Sequence, residues 1–278
     1  MHYLTMGAIF RTENSWLDEW IQYHLAVGVE HFVLYNDDED THVSDLILKP
    51  YVDRGVVENI HIRDRSGSIR DTDQFCQDDC YRDLIRNTVG TTRWLAIVDL
   101  DELILPRHWD DVRTALEEYE EHSGLAINWS IFGSSGYIKR PPTQINHLFH
   151  RSETHWQMNQ FVKSIVKPDC VCLNTPRYAH FIPTKEGVTV NENHEHVTEM
   201  RHAISTEKIR INHYVTRSWQ DFWEVKARRP RRFYTGPCSE RHYKNHDRNE
   251  VFDDEISRRF GHVVKESEYR SQEIGDRR

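Results

Sequence analysis

The chain has 278 residues, 36 basic and 45 acidic side chains, a formal net charge of −9, and 37% hydrophobic residues. At about 150 residues per domain, that is one large domain or two small ones, with enough apolar material for a core, which excludes wholesale disorder. The acidic balance argues against a general nucleic-acid binder, and no apolar run reaches the roughly 18 residues of a membrane span.

The first hundred residues alternate strand and helix signals. Tyr3–Phe10 is an apolar run of strand length, and it reads as a first strand rather than a signal peptide. Asn14 or Ser15 is placed to cap a helix whose apolar positions include Trp16, Trp20, Ile21 and Tyr23, with Gly28 as its stop signal. His31–Tyr35 is a second strand, followed by the polar loop Asn36–Asp40, a short helix over Leu46–Tyr51 and a third strand over Val56–Ile62. A helix is predicted over Asp73–Asn87, and Trp94–Val98, apolar at every position, has the pattern of a central strand covered on both faces. Strand–helix repetition of this kind predicts a parallel sheet with helices on both faces. Ligands of such sheets bind beyond the carboxyl ends of the strands. Those ends are Phe10–Glu13, Asn36–Asp40 and Asp99–Glu102.

The second half is less regular. A surface helix is predicted over Asp110–His122, strands over Leu125–Phe132, Phe161–Val166, Val171–Leu173 and Lys208–Tyr214, and a helix over Trp219–Arg229. Residues 184–202 read as a long His-rich loop, and the last forty residues as charged helices. Five cysteines, none at zinc spacing, predict reduced thiols and a cytoplasmic, cytosol-like compartment.

Asp-x-Asp occurs at Asp38/Asp40, Asp71/Asp73 and Asp99/Asp101, and the last pair directly follows a buried strand. Alternate residues of an extended segment project to one side, so both carboxylates can face one hard cation, Mn²⁺ or Mg²⁺. Hard cations held by few carboxylates commonly also hold substrate phosphates. His213 ends the strand Ile209–Tyr214 and His180 sits in Tyr178–Phe181; each is a candidate ligand, against the commoner structural use of a lone His. Lys163 and Lys226 are candidate cations for a diphosphate, Lys226 opening a run of five basic residues in seven. The pair His194/His196 lies in a polar loop and reads as solvated surface. No glycine-rich phosphate loop follows the first strand, which argues against a dinucleotide dehydrogenase or a P-loop NTPase, and no Gly-x-Ser-x-Gly elbow is present.

Five segments stand together in order: Asn14–Tyr35, Trp94–Glu102, Phe132–Gly136, Lys163–Pro168, and Asn212-His213-Tyr214 with Ser218 and Lys226. Over roughly residues 5–230 they resemble glycosyltransferase family 92 and its family 2-like relatives. The resemblance implies an α/β, GT-A type fold: a Rossmann-like, mixed and mainly parallel sheet flanked by helices. The expected division is a catalytic domain over 1–215, with a nucleotide-sugar half to about 105 and an acceptor half beyond it. A helical C-terminal segment over 216–278 is expected to pack on that domain.

It implies also a UDP-sugar donor, a glycan or glycoprotein acceptor, and Mn²⁺ or Mg²⁺ on Asp99 and Asp101, with His213 as candidate third ligand. Arg11, Glu13 and Asp38 would frame the uridine, and Asp99 would bind ribose or metal. An inverting reaction would take its base from Asp221, Glu153 or Glu224; Trp129, Trp156 and His180 are candidates for the acceptor side. The rival readings are a sugar-1-phosphate nucleotidyltransferase and a non-catalytic carbohydrate-binding protein. One departure from the family pattern is Arg229-Pro230, where a Gly commonly follows the Arg.

Overall fold

The computed structural model describes residues 1–62, 77–173, 179–228 and 239–264. Its first half is the expected alternation: β1 (His2–Phe10), α1 (Asn14–Ala26), β2 (His31–Asn36), α2 (His42–Val52), β3 (Val57–His61), α3 (Gln77–Thr88) and β4 (Thr92–Ile97). The four strands pair in parallel in the order β4-β1-β2-β3. Their buried faces join two apolar clusters, one under α1 and α2 and one under α3. Gly7 of β1 lets the buried Leu84 side chain of α3 pack close, since a Cβ there would force Leu84 to move. Neither Asn14 nor Ser15 caps α1 through its side chain; the cap position is Glu13, and the first turn starts at Asn14. The start of the predicted Asp73–Asn87 helix lies outside the described residues, and α3 runs from Gln77.

The second half holds β5 (Glu102–Pro106), α4 (Val112–Glu117), β6 (Gly124–Phe132), β7 (His150–Arg151), β8 (Val162–Val166), β9 (Thr189–Val190), β10 (Ile209–Tyr214), α5 (Trp219–Glu224), α6 (Glu240–His246), β11 (Val251–Phe252) and α7 (Glu255–Phe260). β8 bridges the halves, antiparallel to both β4 and β6. β10 lies parallel to β6 and antiparallel to β5. The architecture is therefore the expected mixed α/β one, with a parallel core flanked by helices.

Several boundaries differ from the sequence reading, for local reasons. The predicted Asp110–His122 helix shrinks to α4, capped by the Asp111 carboxylate accepting from the Arg113 N–H, and its tail becomes turns. Val171–Leu173 is not a strand; only Val171 forms a bridge, to Thr184. The Trp219–Arg229 helix stops at Glu224 and continues as a 3₁₀ turn over Lys226–Arg228. β5 has no separate signal in the sequence, since its apolar run Leu103–Leu105 directly follows the acidic turn.

The C-terminal residues are not only helical. β11 pairs antiparallel with β7, and Ile256, Phe260 and Val264 enter the main core. Asp253, next to β11, pairs with Arg151 of β7 at 2.7 Å and Arg210 of β10 at 2.9 Å. Against the burial that raises it, Arg210 and Arg151 hold the Asp253 carboxyl at about 2. A depressed carboxyl stabilises the fold above its unfolded value near 3.9, and that contribution is lost as pH falls through the folded one. Asp253→Asn is expected to lower unfolding stability at pH 7 by about 2 kcal/mol, and the gap to wild type should close between about pH 4 and pH 2. Urea titrations at pH 7 and pH 3 check this; a gap independent of pH would refute it.

Candidate active site

The turn after β4 is fixed through its backbone. The Trp20 indole donates to the Asp99 and Glu102 carbonyls, Arg217 donates to the Leu100 carbonyl at 2.6 Å, and the Tyr214 N–H donates to the Asp101 carbonyl at 2.8 Å. The Asp99 N–H donates to Glu102 Oε2 at 2.8 Å. With its main chain held at every residue, the turn presents two carboxylates at the carboxyl edge of the parallel strands, where ligands of open α/β sheets sit.

Two ammonium groups neutralise them. Lys163 Nζ, buried on β8, lies 2.9 Å from Asp99 Oδ2 and 3.3 Å from Glu102 Oε2. Lys226 Nζ lies 2.5 Å from Asp101 Oδ2. Burial raises both aspartates, yet Lys163 brings Asp99 below the ordinary carboxylate range, and Lys226 with His213 holds Asp101 well below it. Glu102 is fully buried beside two other carboxylates, and burial pushes it up to about 8. Asp99 and Asp101 thus each face an ammonium group, with Glu102, its pKa raised by burial, between Lys163 and His213. Tyr81 of α3 adds a hydroxyl at 3.3 Å from Asp99 Oδ1.

His213 sits opposite Glu102 in the β5–β10 register. Its Nε2 faces Asp101 Oδ2 at 3.5 Å, and burial keeps the ring neutral by lowering its pKa. His213 Nδ1 and Glu102 Oε1 are buried without a hydrogen-bond partner among the described residues. Beside His213 stands Trp129, 4.3 Å between ring centres, and beside Trp129 stands His180, at 5.1 Å. Burial lowers His180 to about 3, and Trp129 Nε1 and His180 Nδ1 also lack partners among the described residues. Buried polar atoms in folded proteins are nearly always bonded, so this run of open donors and acceptors along one wall beside Asp99 and Asp101 is suited to a polar ligand.

The nucleotide-side candidates gather at the neighbouring strand ends. Thr12, at φ 59°, holds the turn after β1 in a conformation a β-branched residue seldom adopts. Its N–H donates to Asp38 Oδ1 at 2.6 Å, while Asp38 Oδ2 is buried without a partner among the described residues and burial raises the carboxyl. Arg11 is paired with Asp37 at 3.3 Å and Glu39 at 2.8 Å. Glu13 lies 3.5 Å from Arg217, which also stacks over Trp16. Arg217 was missed in the sequence: its positive φ of 51° and its reach to Leu100 have no local signature.

The base candidates separate. Asp221 accepts from the Trp16 indole, Arg140 and Ser218, so its oxygens are engaged in fixing α5 against α1. Glu224 pairs with the same Arg140 at 3.1 Å and accepts from Gln220. Glu153 is exposed, and next to it Ser152 donates its N–H to the Ile131 carbonyl, in register with His213. Trp156 packs against the main core, which includes Trp129, and lies under Arg248, 4.9 Å from ring centre to guanidinium, and near His246.

Asp99, Asp101 and His213 supply the carboxylate and imidazole donors that suit Mn²⁺ or Mg²⁺. Their ligand atoms do not all fall within 4.8 Å of one another, since the lysines hold the carboxylates. The donor types fit the cation, and the charge the cation would bring is carried here by Lys163 and Lys226.

The glycosyltransferase family 92 model matches residues 3–258. The Ricinus communis "Glycosyltransferase family 92 protein RCOM_0530710" aligns twice. One alignment is 21% identical over 234 residues, 82% of this chain and 38% of the relative. The other is 25% identical over 221 residues, 76% of this chain and 34% of the relative. The chain thus spans little more than a third of the length of these relatives. Among solved structures, HddC from Yersinia pseudotuberculosis is similar at a TM-score of 0.43 and 11% identity, covering 81% of this chain and 98% of that one. The S. cerevisiae mannosyltransferase Ktr4p is similar at a TM-score of 0.27 and 13% identity, over 48% of this chain and 41% of that one. The fold is a Rossmann-like α/β sheet with an acidic turn at the carboxyl edge of its parallel strands. The chain belongs to glycosyltransferase family 92. Among the described residues no helix is long and apolar enough to cross a membrane.

Proposed function

We propose that this chain is a metal-dependent glycosyltransferase that moves a sugar from a UDP-sugar to a glycan hydroxyl. The observation that carries this reading is the Asp99-Leu100-Asp101 turn, with its three carbonyls pinned and its carboxylates neutralised by two lysines at the carboxyl end of β4. Asp99, Asp101 and His213 would hold Mn²⁺ or Mg²⁺, which neutralises the diphosphate leaving group. Lys163 keeps Asp99 ionised, and Lys226, partly exposed on its 3₁₀ turn, is available to pair with a phosphate oxygen. Asp38 Oδ2 would accept from the nucleoside, and Trp129 with His180 would line the side of the sugar ring.

Calorimetry of UDP with Mn²⁺ and with EDTA tests the reading. Expected is metal-dependent binding, and at a hundredfold excess over the dissociation constant a stabilisation of about 2.7 kcal/mol. Equal UDP affinity in EDTA would remove the metal from the reading, and stronger stabilisation by GDP would change the donor.

For an inverting reaction the acceptor proton needs a carboxylate with an open oxygen. Of the three candidates only Glu153 meets that without breaking a pair seen here. Glu153→Gln is then expected to lower kcat by about 10²–10⁴ while UDP affinity stays at the wild-type value. A kcat near wild type would leave Glu153 without a catalytic role.

A further inference from the structure

At the opposite end of the sheet from Asp99, the chain between α4 and β6 meets the loop after β9. His122 Nε2 lies 3.0 Å from His194 Nδ1 and 3.5 Å from Glu121 Oε1. The three ligand atoms all lie within 4.8 Å of one another, a convergence found nowhere else among the His, Cys, Asp and Glu of the described residues. The sequence separation of 72 hides it; the sequence reading placed His194 with His196 on solvated surface, and His196 is not in the group.

We propose that Glu121, His122 and His194 form a binding site for a borderline divalent transition metal of the Zn²⁺ class, separate from the transfer site. The geometry supports it first. Two imidazole nitrogens at about 2.0–2.1 Å from a tetrahedral zinc stand about 3.3 Å apart, and a nitrogen and a carboxylate oxygen about 3.4 Å. The observed 3.0 and 3.5 Å are within a few tenths of an ångström of those edges. As the chain stands, one proton on His122 Nε2 or His194 Nδ1 faces the other ring, and Glu121 looks at the same spot. A cation there displaces that proton from between the rings: the ring that held it moves to its other tautomer through solvent, with no net proton released, and both facing nitrogens then offer lone pairs while their second nitrogens carry the N–H. Water completes the shell. Two nitrogens and one oxygen suit Zn²⁺, Ni²⁺ or Cu²⁺ better than Mg²⁺.

Of the three, His194 is held in place by its surroundings. The His194 ring stacks on Tyr119, 4.9 Å between centres at 27°. Its backbone, at φ 61°, is wrapped by Asn191, whose side-chain oxygen accepts from Asn193 and Glu195. The Tyr119 hydroxyl donates to the Glu192 carbonyl at 2.9 Å. The Glu192 carboxylate in turn accepts from the backbone N–H groups of Glu207, Lys208 and Ile209, at the start of β10. A metal on Glu121, His122 and His194 would therefore staple the chain after α4 to the loop that positions β10.

The test uses the full chain, stripped with EDTA and dialysed, with Zn²⁺ alone as probe and no nucleotide. Bound zinc is counted for wild type, His122→Gln, His194→Gln and Asp101→Asn. Expected is one equivalent fewer in each histidine variant and no loss of that equivalent in Asp101→Asn; zinc taken by thiols is common to all and cancels. Zn²⁺ should raise the melting temperature of wild type more than that of either histidine variant. Co²⁺ should give a four-coordinate visible spectrum in wild type and Asp101→Asn that both histidine variants lack. Equal zinc counts in wild type and His194→Gln would overturn the proposal. If His122→Gln does not fold, His194→Gln, altered on an exposed loop, decides alone.

Discussion

Asp101→Asn is expected to abolish most transfer, lowering kcat by about 10²–10³, with UDP affinity in Mn²⁺ reduced as well. The carboxylate is held ionised by Lys226 at 2.5 Å and faces His213. An amide of the same size keeps the turn, because the main-chain contacts of Asp101 do not depend on its charge. The lost term is electrostatic: a buried, fixed negative charge where a cation and a diphosphate would meet. Single-turnover kinetics with a UDP-sugar panel, beside a melting curve, separates this from a folding defect. A variant that keeps wild-type turnover would remove Asp101 from the mechanism.

Lys163→Met should have the largest effect on stability, a loss below the roughly 3–5 kcal/mol of a fully buried pair, because the Asp99 side chain left behind is 33% exposed. Lys163 is 1% exposed and supplies the cation between Asp99 and Glu102. Without it Asp99 keeps only the Tyr81 hydroxyl at its side-chain oxygens, among the described residues. The double variant Lys163→Met/Asp99→Asn should recover much of the loss, since the stranded charge goes with the aspartate. Urea unfolding of the three proteins gives the coupling directly. Additive losses would mean that Lys163 acts through packing and not through charge.

Much of the first half was legible in the sequence because its signals are local. Continuous apolar runs such as Trp94–Val98 and the periodic Trp16, Trp20, Ile21 and Tyr23 specify elements by burial alone, and the sheet edge then follows from parallel topology. Asp99 and Asp101 could be singled out for the same reason: two carboxylates directly after a buried strand. Short elements escaped where partners far along the chain define them. β5 exists because β10 pairs with it, and β11 exists because β7 does.

By itself the sequence determined the parallel α/β core, the acidic turn at its edge and the family resemblance. All three rest on residue type and near-neighbour spacing. The tertiary structure alone decided the charge balance of that turn. Lys163 comes from β8 and Lys226 from the turn after α5, and only folding brings them within 3 Å of Asp99 and Asp101. It also decided that Asp221 anchors Trp16 and Arg140, that Arg217 grips Leu100, that Trp156 lies under Arg248, and that His194 faces His122. The physical reason is the same throughout. Burial and periodicity act along a few residues of chain, whereas electrostatic and hydrogen-bond partners are set by distance in space, which the order of residues does not contain.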